Sequence, residues 1–129
     1  MGIFLFRGAH VLRREHGRMA EKGSSGKAPM AKAPDRDGKT IEVLARSENM
    51  EGIMVTVEPG SDWGQAYAHQ GEEIRYILEG TLEVDIGGKR YLLKKGDCLW
   101  HTSEVPHTLR NPGKKKARYF VVIIPPSFS

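Results

Sequence analysis

Apolar and polar residues alternate along this chain in short bursts, and the bursts are separated by turn-forming residues. "TIEVLAR" (40–46) and "GIMVTVEPG" (52–60) are rich in β-branched residues and bounded by Gly, Pro and Asn. A strand sends successive side chains to opposite faces, so an alternation of this period predicts half-buried strands. "EIRYILEGTLEVDIGGKRYLLKKGD" (73–97) follows, with Gly87-Gly88 between two strand-like runs, which is a hairpin signal. "CLWHT" (98–102), "HTLRN" (107–111) and "ARYFVVIIPP" (117–126) complete the series, and "AHVLRREH" (9–16) can supply a strand before it. Short strands at regular spacing, with no helical period and no internal repeat, predict an all-β sandwich or barrel.

Composition divides the chain in two. "EKGSSGKAPMAKAPDRDGK" (21–39) is Gly, Ser, Ala, Pro and Lys without hydrophobic period. Residues 1–38 therefore read as an N-terminal strand plus a flexible basic loop, and 39–129 as the β domain. A length of 129 residues suits one domain with a real core. The single cysteine, Cys98, cannot form an internal disulfide, which fits a reducing compartment. The apolar patch at 3–6 is too short for a signal-peptide core, and no window approaches a membrane span. A cytoplasmic protein without a membrane partner is expected. The net charge is +4, but it is not patterned for nucleic acid: part of it sits in the N-terminal third and part in the turn-like Lys114–Lys116. No zinc-finger spacing or aromatic-basic interleaving accompanies them, so no direct contact with nucleic acid is expected.

The candidate chemistry lies in "WGQAYAHQGEEIR" (63–75). If the segment is extended, Trp63, Gln65, Tyr67 and His69 share a face. Beyond Gly71, the pattern alone buries Ile74, Tyr76 and Leu78 and leaves Glu73 in water. A second stretch, "GDCLWHTSEVPHTLRN" (96–111), changes this.

Together the two stretches resemble the two motifs of the cupin superfamily. In the first motif a His-x-His pair, a Glu and a Gly correspond here to Tyr67, His69, Glu73 and Gly80. The second corresponds to Gly96-Asp97, Pro106, His107 and Asn111. The resemblance covers residues 50–125 and implies a single cupin domain, a double-stranded β-helix or jelly roll. "GEEIRYILEGTLEV", "NPGKKKAR" and "VVIIPPSF" further resemble the C-terminal sensor domains of bacterial regulators that join a helix-turn-helix to a cupin. The helix-turn-helix is not part of this sequence.

The resemblance assigns His69, Glu73 and His107 as metal ligands, while Tyr67 stands where the first histidine would be. Two imidazoles and a carboxylate suit one divalent metal, Fe, Mn, Ni or Zn. Tyr67 ligates only as phenolate, and otherwise lines the pocket. An inward Glu73 implies an inward Arg75, which is costly unless Arg75 meets a ligand carboxylate or phosphate, or pairs with Glu73, Glu83 or Asp85. Ile74, Tyr76 and Leu78 then face outward and call for cover, which predicts a homodimer on that sheet with the N-terminal arm contributing a strand. Trp63, Trp100 and Gln65 are candidate ligand contacts, and Cys98 shares the parity of Trp100. By the same parity His101 faces away from the site, and His10 and His16 read as surface residues. Three functions stay open: a small-molecule sensor or binding module, a metal-dependent dioxygenase or isomerase, and a metal-free, non-catalytic cupin.

Overall fold

A computed structural model describes residues 9–12 and 38–126. They contain nine strands and no helix: β1 Ala9–Leu12, β2 Lys39–Arg46, β3 Glu51–Val57, β4 Glu72–Glu79, β5 Thr81–Ile86, β6 Lys89–Lys94, β7 Cys98–Thr102, β8 His107–Arg110 and β9 Ala117–Ile124. Six form one sheet in the order β1-β7-β4-β9-β3-β2, and three form a second in the order β6-β5-β8. Every strand pair is antiparallel. The two sheets face one another as a jelly roll. Residues 13–37, which include His16 and nearly all of the expected flexible basic loop, lie outside the described residues, as does the side chain of His10.

The alternation read from the sequence is the alternation of burial. In β3, Ile53, Val55 and Val57 point between the sheets, as do Leu82 and Val84 in β5 and Tyr119, Val121 and Ile123 in β9. Each fully buried aliphatic side chain contributes about 1.5–3 kcal/mol relative to exposure. In β1, Ala9 is buried in the same core, and the strand pairs with β7, so the six-stranded sheet begins before residue 39. The hairpin expected at Gly87-Gly88 joins β5 to β6, and both glycines have positive φ, as a two-residue turn matched to sheet twist requires.

In β4 the parity is the one that the pattern alone disfavours. Glu73, Arg75 and Ile77 are buried, whereas Ile74 is exposed and Tyr76 and Leu78 are half-buried. Cross-strand register places Ile74 beside Val122 and Trp100, and Tyr76 beside Phe120, so these side chains form one apolar outer face. Two polar residues therefore enter the interior from the middle of the sheet.

Candidate metal and ligand site

Glu73 is the centre of the site. Its Oε2 lies 3.1 Å from His69 Nε2 and 3.2 Å from His107 Nε2, and it accepts a hydrogen bond of 3.0 Å from Ser103 Oγ. Its Oε1 accepts a 3.0 Å bond from Arg75 Nη2. Burial would raise the carboxyl pKa. The His107 ring, the Arg75 guanidinium and His101 more than reverse this and hold it well below the usual carboxylate range. Arg75 is buried too, which opposes its charge, but Tyr119 and Glu73 hold it protonated.

The histidines come from three different places. Gly71 makes the turn between His69 and Glu73 with a φ of 105°, and a Cβ there would run into the Ile124 carbonyl, so only glycine fits. The loop carrying His69 is tied down by backbone bonds. Tyr67 and His107 exchange N–H···O bonds of 3.2 and 3.0 Å, and His69 N donates to Ser103 O at 2.9 Å. His107 opens β8. The ligand-type atoms of His69, Glu73 and His107 lie within 4.8 Å of one another.

Tautomers follow from the backbone contacts. A carbonyl only accepts, so the Nδ1 of His69 donates to Gln70 O (3.1 Å) and the Nδ1 of His107 to Val105 O (2.9 Å). Each Nε2 then faces Glu73 Oε2 at 3.1 or 3.2 Å, a contact that is favourable with a proton or a cation between the two atoms. His107 Nε2 is buried and has no hydrogen-bond partner among the described residues. Two imidazoles whose Nδ1 atoms are held by backbone carbonyls, together with the Glu73 carboxylate between their Nε2 atoms, fit a divalent metal.

His101 belongs to this cluster, contrary to the expectation from sequence. In β7, Leu99 and His101 point inward, and Cys98 and Trp100 outward. The inward parity of Glu73 sets this, because Glu73 pairs directly with His101 across the sheet. His101 Nδ1 donates to Thr102 O at 3.0 Å, and its Nε2 lies 3.1 Å from Arg75 Nη1 and accepts from it. Burial and the Arg75 charge lower its pKa to about 4, so it is neutral at pH 7. Trp100 is corrected in the other direction: it lies on the outer face, and its indole N–H donates to Glu72 Oε1 at 2.7 Å. Burial pushes the Cys98 thiol up, the opposite of activation.

A cavity of about 250 Å³ opens beside the cluster. Tyr67, Gln65 and Lys39 line it, as do Arg75, Thr108 and Tyr119, and aliphatic side chains complete the wall. Tyr67 is more than half exposed, and its ring centroid lies 5.0 Å from that of His107. Trp63 is not part of the wall. Its ring instead has the guanidinium groups of Arg90 and Arg110 at 5.0 and 5.3 Å, because the segment before Tyr67 is a loop rather than an extended strand. Asn111 plays a structural part: its buried amide donates to Val57 O and Lys115 O and accepts from Gly113 N, closing the loop after β8.

A family model described as a cupin domain matches residues 53–123. An uncharacterised protein of Archaeoglobus fulgidus is 38% identical over 63 residues, covering 49% of this chain and 59% of that protein. The HTH-type transcriptional regulator PuuR of Escherichia coli is 33% identical over 76 residues, covering 59% of this chain and 41% of the regulator. The chain thus spans only about half the length of these relatives. Among solved structures, an RmlC-like cupin from Shewanella frigidimarina superposes with a TM-score of 0.68 at 18% identity, covering 83% of this chain and 93% of that one.

Proposed function

The chain belongs to the cupin family, and from that premise we propose that it is a metal-binding, small-molecule-binding module that acts as a sensor. One observation carries the reading. His69, Glu73 and His107 converge at the inner side of a cavity, with both Nε2 atoms directed at one carboxylate oxygen, 3.1 and 3.2 Å away. His69, Glu73 and His107 would hold the metal, and Tyr67 would sit above it as a pocket residue. Similarity to a transcriptional regulator over 76 residues, 41% of that protein's length, favours sensing. The ligand is small, and the buried Arg75 beside the metal ligands favours an anionic one.

A second reading, a metalloenzyme of the dioxygenase or isomerase kind, is favoured by the count of protein ligands. Three protein donors, all lining the cavity, would leave part of a metal's coordination to water or a ligand. A metal bound there would supply Lewis-acid or redox chemistry. The protein's own residues would orient the ligand, exclude water and keep Glu73 ionised.

Elemental analysis of protein purified without a metal-affinity step tests the core of the proposal. We expect close to one Fe, Mn, Ni or Zn per chain, lost in His107→Ala. Protein that stays metal-free under supplementation with all four would remove both metal-dependent readings.

A further inference from the structure

We propose that Ser103 is a positioning residue of the metal site: its hydroxyl, together with Arg75, locks the Glu73 carboxylate so that Oε2 alone is offered to the ion. The proposal rests on the metal-binding reading above and adds a residue that is neither a ligand nor part of the cavity wall.

The turn between β7 and β8 reaches all three candidate ligands. Val105 O accepts from His107 Nδ1 at 2.9 Å. Ser103 O accepts from His69 N at 2.9 Å. Ser103 N donates at 2.8 Å to the carbonyl of Gly71, inside the turn that separates His69 from Glu73. The Ser103 side chain completes the set. It is fully buried, and its Oγ donates to Glu73 Oε2 at 3.0 Å.

An ionised carboxylate only accepts, through about two lone pairs on each oxygen. Arg75 Nη2 engages Oε1 at 3.0 Å. Held at that oxygen alone, the group can still turn about its Cγ–Cδ bond, because this torsion has a broad energy profile. A second donor on the other oxygen removes that freedom. Ser103 supplies it at Oε2, the oxygen that lies 3.1 and 3.2 Å from the Nε2 atoms of His69 and His107. One lone pair of Oε2 is then engaged by the hydroxyl, and the other is left on the imidazole side. Oε1 is turned to the guanidinium, so Glu73 meets an ion through one oxygen. Ser103 and Arg75 are both buried, where water does not replace a lost donor.

Competition with a chromophoric chelator tests this. It measures the affinity of the metal-free wild type, Ser103→Ala and Thr102→Ala for Fe(II), Mn, Ni and Zn in turn, with melting temperatures taken alongside. Thr102→Ala is the control, since Thr102 Oγ1 contacts the Gly71 carbonyl at 3.4 Å in the same turn. For the ion that the wild type binds most tightly, we expect Ser103→Ala to lose about 10–100-fold in affinity. Thr102→Ala should stay close to the wild type. A smaller loss in Ser103→Ala overturns the proposal, even with a lowered melting temperature, and leaves the metal reading standing. An equal loss in Thr102→Ala also overturns it, because the effect would then lie in the fold of the turn. A wild type that binds none of the four ions removes both the proposal and the metal reading. Should Ser103→Ala not fold, a crystal structure of the metal-loaded wild type decides. We expect Oε2 on the ion, Oε1 on Arg75 and Ser103 Oγ on Oε2. Both carboxylate oxygens on the ion, or Ser103 turned away from Glu73, would overturn the proposal.

Discussion

Glu73 shows how one side chain can be both a metal-ligand candidate and half of a buried ion pair. Oε1 is committed to Arg75 and Oε2 faces the two imidazoles. Removing its charge leaves Arg75 uncompensated in the interior. Glu73→Gln is therefore expected to lose about 3–5 kcal/mol of stability in urea denaturation of the metal-free protein at pH 7. The folded-state pKa of Glu73 lies below its unfolded value. Its stabilisation is then present above the ordinary carboxylate range and lost as pH falls through and below it. Denaturation midpoints measured between pH 7 and 3 should fall more steeply for the wild type than for Glu73→Gln, and parallel curves would refute the ion-pair account. His101 acts through Arg75 and is a positioning residue. His101→Ala should weaken metal binding about 10–100-fold in chelator competition, the range seen for outer-shell partners. His101→Gln, whose side-chain carbonyl can accept from Arg75, should recover much of it. A purely structural role would instead lower the melting temperature of both variants and leave metal affinity unchanged.

At the scale of elements, the site depends on a loop pinned to strands. The connection from β3 to β4 carries Gln65, Tyr67 and His69, and backbone bonds to His107 and Ser103 fix it over the end of the barrel. Gly71 lets this loop turn into β4 against the Ile124 carbonyl. Gly71→Ala combines a strained φ with that collision and is expected to destabilise by more than about 1 kcal/mol. It should also displace His69, so thermal unfolding and metal content should fall together. Metal content unchanged at wild-type stoichiometry would show that the turn does not set the ligand geometry. The strands themselves were legible because alternation reports burial directly. The identity of the buried face in β4 was not. Ile74, Tyr76 and Leu78 are the more apolar set, and they face outward. Trp100 and His101 were misplaced for the same reason: strand parity says which residues differ, not which set is inside. Trp63 was misplaced because the loop before Tyr67 breaks the period.

For the whole molecule, the outer face of the six-stranded sheet carries Ile74, Tyr76, Trp100, Phe120 and Val122 in adjacent register, with Ile74 46% exposed. A contiguous apolar face on a sheet is commonly covered by a partner. We expect a homodimer through this face, read by size-exclusion chromatography with light scattering at micromolar concentration. Ile74→Glu should give a folded monomer with metal content intact, since Ile74 points away from the cavity. A monomeric wild type would refute the dimer.

The sequence by itself determined the all-β class, the hairpin at Gly87-Gly88 and the residue types that converge at the site, because local alternation and turn chemistry act over a few residues. His69, Glu73 and His107 could be named because the two stretches that hold them resemble the two cupin motifs. Only the tertiary structure decided that Glu73 and Arg75 enter the interior, that His101 braces Arg75 and that both tryptophans lie outside the cavity. Those outcomes depend on which face of each strand meets the opposing sheet. A buried charged pair is stable there only because partners far apart in sequence, Ser103, His101 and His107, arrive together around it.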